Sequence, residues 1–331
     1  MSVVMAQIQR YDYIDTFKGG AMICVILWHS CFLTLFYKHS VVSVPLFFII
    51  SGLFYKENLS WKELLIRNIK LLLIPYLAYN FLKLLIFKSL SLLGVNVADA
   101  SVLTIFYPLS AESVPNVATW YLLVLFIVVP LFKVLFMAVK LMASKWQKII
   151  LLLVLLLIGY SGYILAQNNI RLPWLMDIVP LGLLFYGIGY LVSSMQVLLP
   201  KAKYDWLGYS LIIPLFGVYL FLRKYVSMAS GTYDLPYVQL VVMIMSLFVS
   251  LFYLCKAVGY VPIITYIGRY SLIALCTHMI MIPLSMGITL RFFDYNTAVV
   301  VTSIATIILL RWCVIPFCIR FLPWISGIRS L

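Results

Sequence analysis

The chain alternates long apolar blocks with short polar interruptions, and the blocks have bilayer length. Four stretches, 113–132, 149–170, 178–200 and 235–255, contain no Lys, Arg, Asp, Glu or His. A spanning helix needs about 20 mostly apolar residues. Dividing the sequence on that basis predicts ten spans: 16–37, 41–56, 64–90, 117–140, 147–167, 174–196, 205–223, 236–257, 263–289 and 296–321. The second window is short, and Lys83 interrupts the third. The expectation is an all-α, polytopic integral membrane protein: one transmembrane domain over 1–331, a membrane-embedded core at 16–321 and no soluble domain. The basic N-terminal stretch resembles a signal peptide only superficially. Asp12 and Asp15 interrupt it and no small-x-small cleavage site follows, so the first window is expected to be retained.

Composition strengthens this picture. The chain is 65% hydrophobic and 10% charged, against roughly 45–50% and 25% in soluble domains. The excess apolar surface must face lipid. The net charge of +14 does not point to nucleic acid, because the basic residues form small clusters between apolar blocks. With the N-terminus placed inside, Lys and Arg on that side outnumber the rest by about two to one, which predicts both termini in the cytoplasm. All six cysteines lie in or beside apolar blocks without a CxxC pair, as packing residues would, and no metal site is visible.

Ionisable residues inside a membrane are costly and usually face a cavity or a partner. His29 lies about 13 residues into the first window, roughly 20 Å deep at 1.5 Å per residue. Lys18 precedes it by eleven residues, close to three helical turns, so the two share a face about 16 Å apart. A neutral buried imidazole can act as a general base, or it can be a packing histidine. His278 is about 15 residues into the ninth window, a span of the same direction, so the two histidines are expected at similar depth, with or without a shared cavity. Arg67 and Lys70, spaced i, i+3 at the inner end of the third window, can hold a phosphate or simply obey charge orientation.

Other polar positions have two readings each. Ser51, before Gly52, is a small packing residue or a nucleophile without an adjacent base. Trp120 fits an interfacial aromatic belt. Asp177 is a helix-end acid or an acceptor for sugar hydroxyls. Asp15, one turn before Lys18, is expected to pair with it. His39 falls in the first outer loop and is expected to be solvated. Arg311, deep in the last window, needs a partner that the sequence does not name.

These residues also fall into a known order. YIDTFKGGAMICVILWHS resembles the first-helix signature of the membrane-bound acyltransferase family 3, a basic residue and a histidine separated by ten residues, with an Asp shortly before. VPLFFIISGLF is similar to the family's Pro-x-Phe-Phe-x-x-Ser-Gly stretch, RNIKLLLIPY to its Arg-x-x-Arg…Pro-Tyr element and TWYLLVLF to its Trp-Tyr/Phe-Leu element. DIVPLGLLFYGIGYL and IGRYSLIALCTHMI resemble later helices, so the likeness spans residues 10–280 in family order. The chain departs at 18 and 70, where lysine stands for arginine and the bidentate fork is lost. It also shows no hydrolase-like domain of the kind some relatives carry.

The resemblance implies transfer of an acyl group, most often acetyl, from acyl-CoA to a hydroxyl of a surface or lipid-linked carbohydrate. Acetyl-CoA is then the donor co-substrate, and no metal is implied. The implied place is the plasma membrane, the inner membrane in bacteria. The partners are acyl-CoA, a glycan or glycolipid acceptor and membrane lipid, with no nucleic acid, and a homo-oligomer is left open. Lys18, Arg67 and Lys70 would meet the donor phosphates. His29 would be the base or a transient acyl acceptor. His278, Trp120 and Asp177 would shape the outer half. The alternative class is a transporter or flippase of a lipid-linked glycan, which would not need a base aligned with cytoplasmic cations. A glycan polymerase should carry basic residues in a large outer loop, and 91–116 has none.

Overall fold

The computed structural model describes residues 11–36, 44–94, 101–142, 144–195 and 205–327. Helices dominate, and a single two-residue-per-strand hairpin is the only sheet among the described residues. Within the same residues, seven helices are long and apolar enough to cross a membrane: Trp61–Leu92, Val117–Lys140, Gln147–Gln167, Pro173–Ser193, Tyr237–Val258, Ser271–Thr289 and Tyr295–Phe321. Val44–Leu53 and Ile212–Leu222 are apolar but shorter. Asp12–His29 has the length but carries Asp12, Asp15 and Lys18 in its first two turns.

Each predicted window therefore contains a helix, with instructive differences. The first stops at His29. Ser30 commits its hydroxyl to the Leu27 carbonyl and to Ser303, and Cys31 takes a left-handed φ of 63°, so a separate turn, Phe32–Phe36, resumes beyond. The third starts earlier than expected because Ser60 and Glu63 form a capping box. The ninth breaks at Tyr270, between Pro262–Arg269 and Ser271–Thr289. Two π turns, Ile69–Leu73 and Leu310–Val314, each end two residues before a proline, Pro75 and Pro316. A proline removes one ladder donor and crowds the carbonyl four residues back, and the wider turn accommodates both.

The bundle is layered around one helix. Over its membrane window Pro173–Ser193 is 72% buried, against 22% for Gln147–Gln167, which packs on it and turns Leu153 and Leu157 outward. Val44–Leu53 also packs on this central helix, and Asp12–His29 packs on Pro262–Arg269. Both crossings depend on glycine. A methyl group at Gly52 would overlap the Tyr186 carbonyl, and one at Gly268 the Asp15 carbonyl. Because lipid is as apolar as a side chain, such close backbone contact is what holds membrane helices together.

Candidate active site

The polar residues fall into two groups, one about the start of the first helix and one about its end at His29. At one end lie the N-terminus of the first helix and the start of Trp61–Leu92. Asp12 and Asp15 occupy the first turn, where the helix dipole favours acids. Asp15 is buried and ion-paired to Lys18 at 2.7 Å. Arg269 reaches both acids, Asp12 at 3.2 Å and Asp15 at 3.7 Å. Arg67 and Lys70 are exposed and, among the described residues, make no ion pair. Lys70 sits inside the first π turn. No hydrogen bond or ion pair among the described residues joins Lys18 to Arg67 or Lys70.

At the other end, His29 is the last residue of its helix and lines a cavity of about 200 Å³. Trp28, Trp120, Glu112 and the segment Tyr225–Ser230 form the rest of its wall with Val25, Val44, Pro45 and Val117. A smaller space of about 30 Å³ continues past His29 and Trp120 to Tyr121, Phe47 and Leu275, room for one water. Tyr121 donates to the Phe47 carbonyl at 3.1 Å and shares a hydrogen bond of 2.9 Å with Ser51. Ser51 thus holds the floor of the site, and its hydroxyl is committed to Tyr121.

Behind His29 stands His278, with ring centroids 5.4 Å apart and planes at 44°. His278 is fully buried. Its Nδ1 lies 2.9 Å from the Ala274 carbonyl. A carbonyl only accepts, so Nδ1 carries the proton and Nε2 of the neutral ring is an acceptor. That Nε2 has no partner among the described residues. The two histidines, predicted from spacing to share a depth, are thus neighbours. Buried Lys83 lies over the Phe87 ring at 5.1 Å.

A buried amide network fixes this arrangement. Asn80 donates to Thr119 and accepts from the Asn116 backbone, both at 2.8 Å, and Asn116 donates to the Cys276 carbonyl at 2.7 Å. It ties Trp61–Leu92 and the start of Val117–Lys140 to the helix carrying His278. The far cavity wall is the hairpin, which pairs Val226 with Tyr233 and Ser227 with Thr232. Arg171 donates to the Ser230 carbonyl and pairs with buried Asp177 at 3.1 Å. Asp177 also accepts from the Leu172 backbone at 3.2 Å. Asp177 does not line the cavity. It anchors the clamp that holds the hairpin.

Arg311 finds its partner in a ring, its guanidinium carbon lying 3.7 Å from the Tyr266 centroid. His39 lies outside the described residues. Sequence reasoning missed Glu112, Tyr225, Asn80 and Asn116. The amide residues carried a signal, being polar at positions flanked by apolar ones. Glu112 and Tyr225 in loops carried none. Among the described residues no group of three His, Cys, Asp or Glu gathers as a metal site would require.

A family model described as an acyltransferase domain matches residues 11–317, nearly the whole chain, and the chain belongs to the acyltransferase 3 family. Together with its membrane-length helices, this makes it a multi-pass membrane acyltransferase. Comparison with curated proteins and with solved structures gives no match.

Proposed function

We propose that the protein crosses the membrane ten times with both termini in the cytoplasm of a plasma membrane. In this reading it transfers an acyl group, most simply acetyl, from cytoplasmic acyl-CoA to a hydroxyl of a surface or lipid-linked carbohydrate. The observation that carries the reading is His29 on the cavity wall, backed by a buried histidine. At the other end of the same helix is Lys18, and the free cations Arg67 and Lys70 lie at that end of the bundle.

CoA carries phosphates, which call for exposed cations. Arg67 and Lys70 suit them, whereas Lys18 is already neutralised by Asp15. The acyl group would travel the roughly 16 Å between the Lys18 and His29 levels on the pantetheine arm. At the cavity, His29 takes the proton of the acceptor hydroxyl as its oxygen adds to the thioester carbonyl. Collapse of the tetrahedral adduct breaks the carbon–sulfur bond, and the imidazolium returns the proton to the leaving thiolate. An acyl-histidine relay through His29 gives the same overall balance. His278, whose Nε2 has no partner among the described residues, stands behind the His29 ring as a positioning residue, offering an acceptor to the His29 N–H as the site closes on its substrates and so selecting the tautomer.

The test is acyl-CoA turnover by purified protein with a glycan extract. His29→Ala is expected to lose about 10²- to 10⁴-fold in kcat while keeping donor affinity and thermal stability. Full turnover in a His29→Ala variant that folds normally would end the proposal.

A further inference from the structure

The His29 cavity, which in the proposed function receives the acceptor, has walls with a chemistry of their own. Assigning them a ligand rests on that function. Trp28 and Tyr225 touch ring to ring, their centroids 6.4 Å apart and tilted by 49°, and together form one aromatic wall of the cavity. Trp120 lines the same space from Val117–Lys140. Aromatic faces beside the apolar face of a sugar ring bury area at low entropic cost. Among the described residues Glu112 is the one carboxylate of the lining, set on a 3₁₀ turn capped by Ser110 and Ser113. Ser227 and Ser230 add hydroxyls. A volume of about 200 Å³ corresponds to about seven liquid waters, room for one sugar ring.

No Lys or Arg among the described residues lines the cavity. Arg171 touches the hairpin from behind but is committed to Asp177 and the Ser230 carbonyl. Arg223 and Lys224, just before Tyr225, are exposed and outside the lining. Among the described residues, the fixed charge of this lining is therefore negative.

We infer that this cavity is a single-ring acceptor seat in which Trp28 and Tyr225 form an aromatic wall along one side of the ring and Glu112 selects neutral or amino sugars against acidic ones. A carboxylate accepts hydrogen bonds from hydroxyls or an ammonium and repels a uronic acid.

The probes are methyl glycosides of a neutral hexose, a 2-amino hexose and a hexuronic acid. They are read by CoA release from acetyl-CoA and by tryptophan fluorescence titration of the full-length protein. The neutral and amino glycosides should be preferred over the uronic acid by roughly tenfold, and Glu112→Gln should remove most of that preference. Tyr225→Ala should raise acceptor KM about five- to tenfold, and Tyr225→Phe should restore it. The effect should fall on the acceptor KM rather than the donor KM. An unchanged preference in Glu112→Gln, or a wild type that favours the uronic acid, overturns the seat. CoA release without discrimination overturns the seat and leaves acyl transfer standing. Discrimination in binding without any release overturns acyl transfer and leaves the seat. Neither binding nor release overturns both.

Discussion

At the end of the bundle where the first helix starts, charges come in close pairs: Lys18 with Asp15, Arg269 with Asp12, Lys256 with Asp205 and Lys140 with Glu57. Arg67 and Lys70 are exposed and without an ion pair there among the described residues, as are Lys56, Lys62, Lys148 and Arg320. What sets Arg67 and Lys70 apart is their i, i+3 spacing at the π turn of Trp61–Leu92. At the cavity end the pattern inverts. His278 and Lys83 are buried without a carboxylate among the described residues. The one ion pair found there within the same residues, Arg171–Asp177, supports the wall. The contrast teaches that charge marks function differently at the two ends. At the first end, a cation that no acid already holds is the one free to meet a ligand. Where burial is the rule, the titratable groups that line space are free to do chemistry, and the paired ones hold the frame.

Three variants test this division. Arg171→Met has the largest expected effect, since it leaves Asp177 buried with a single backbone donor. Breaking such a pair costs about 3 kcal/mol, the low end being apt because Arg171 is 31% exposed. Thermal unfolding in detergent should show the loss, together with a cavity that binds acceptor poorly. Stability equal to wild type would mean that the pair supports nothing.

Next, Arg67→Ala combined with Lys70→Ala should raise the donor KM by roughly 30-fold with kcat little changed, at about 1 kcal/mol for each exposed charge-assisted hydrogen bond removed. An effect on kcat alone would move these residues from binding to chemistry. The smallest effect on the donor is expected of Lys18→Ala, under about threefold in donor KM, because its charge is already held by buried Asp15. A change as large as that of the double variant would show that the Asp15 pairing does not withdraw Lys18 from the ligand.

Much of this was legible in the residues. Apolar run length located the helices, and counting 1.5 Å per residue from the same side put His29 and His278 at one depth. What the sequence could not reveal depends on which helices become neighbours. Arg311 needed a partner, but nothing in its own window points to the Tyr266 ring. The Asn80–Asn116–Cys276 chain joins three segments far apart in sequence. The end of the first helix at His29 also hides in an uninterrupted apolar run, because Ser30 acts through Ser303 on a helix that only folding brings close. Asp177 shows the same limit from the other side. A buried acid at a helix start reads as a ligand for substrate until Arg171 is seen to occupy it.

The π turn at Ile69–Leu73 also sets a phase. It holds one residue more than an α-helix of that length would, and one residue is about 100° of rotation. Everything beyond it on Trp61–Leu92 is therefore turned by that angle relative to Arg67. Asn80 and Lys83 owe their inward direction to this single surplus position. Deleting one residue between 69 and 73 would remove that rotation and swing both polar side chains out of their present direction. The number of residues in one turn near the cations thereby governs which side chains stand behind the histidines.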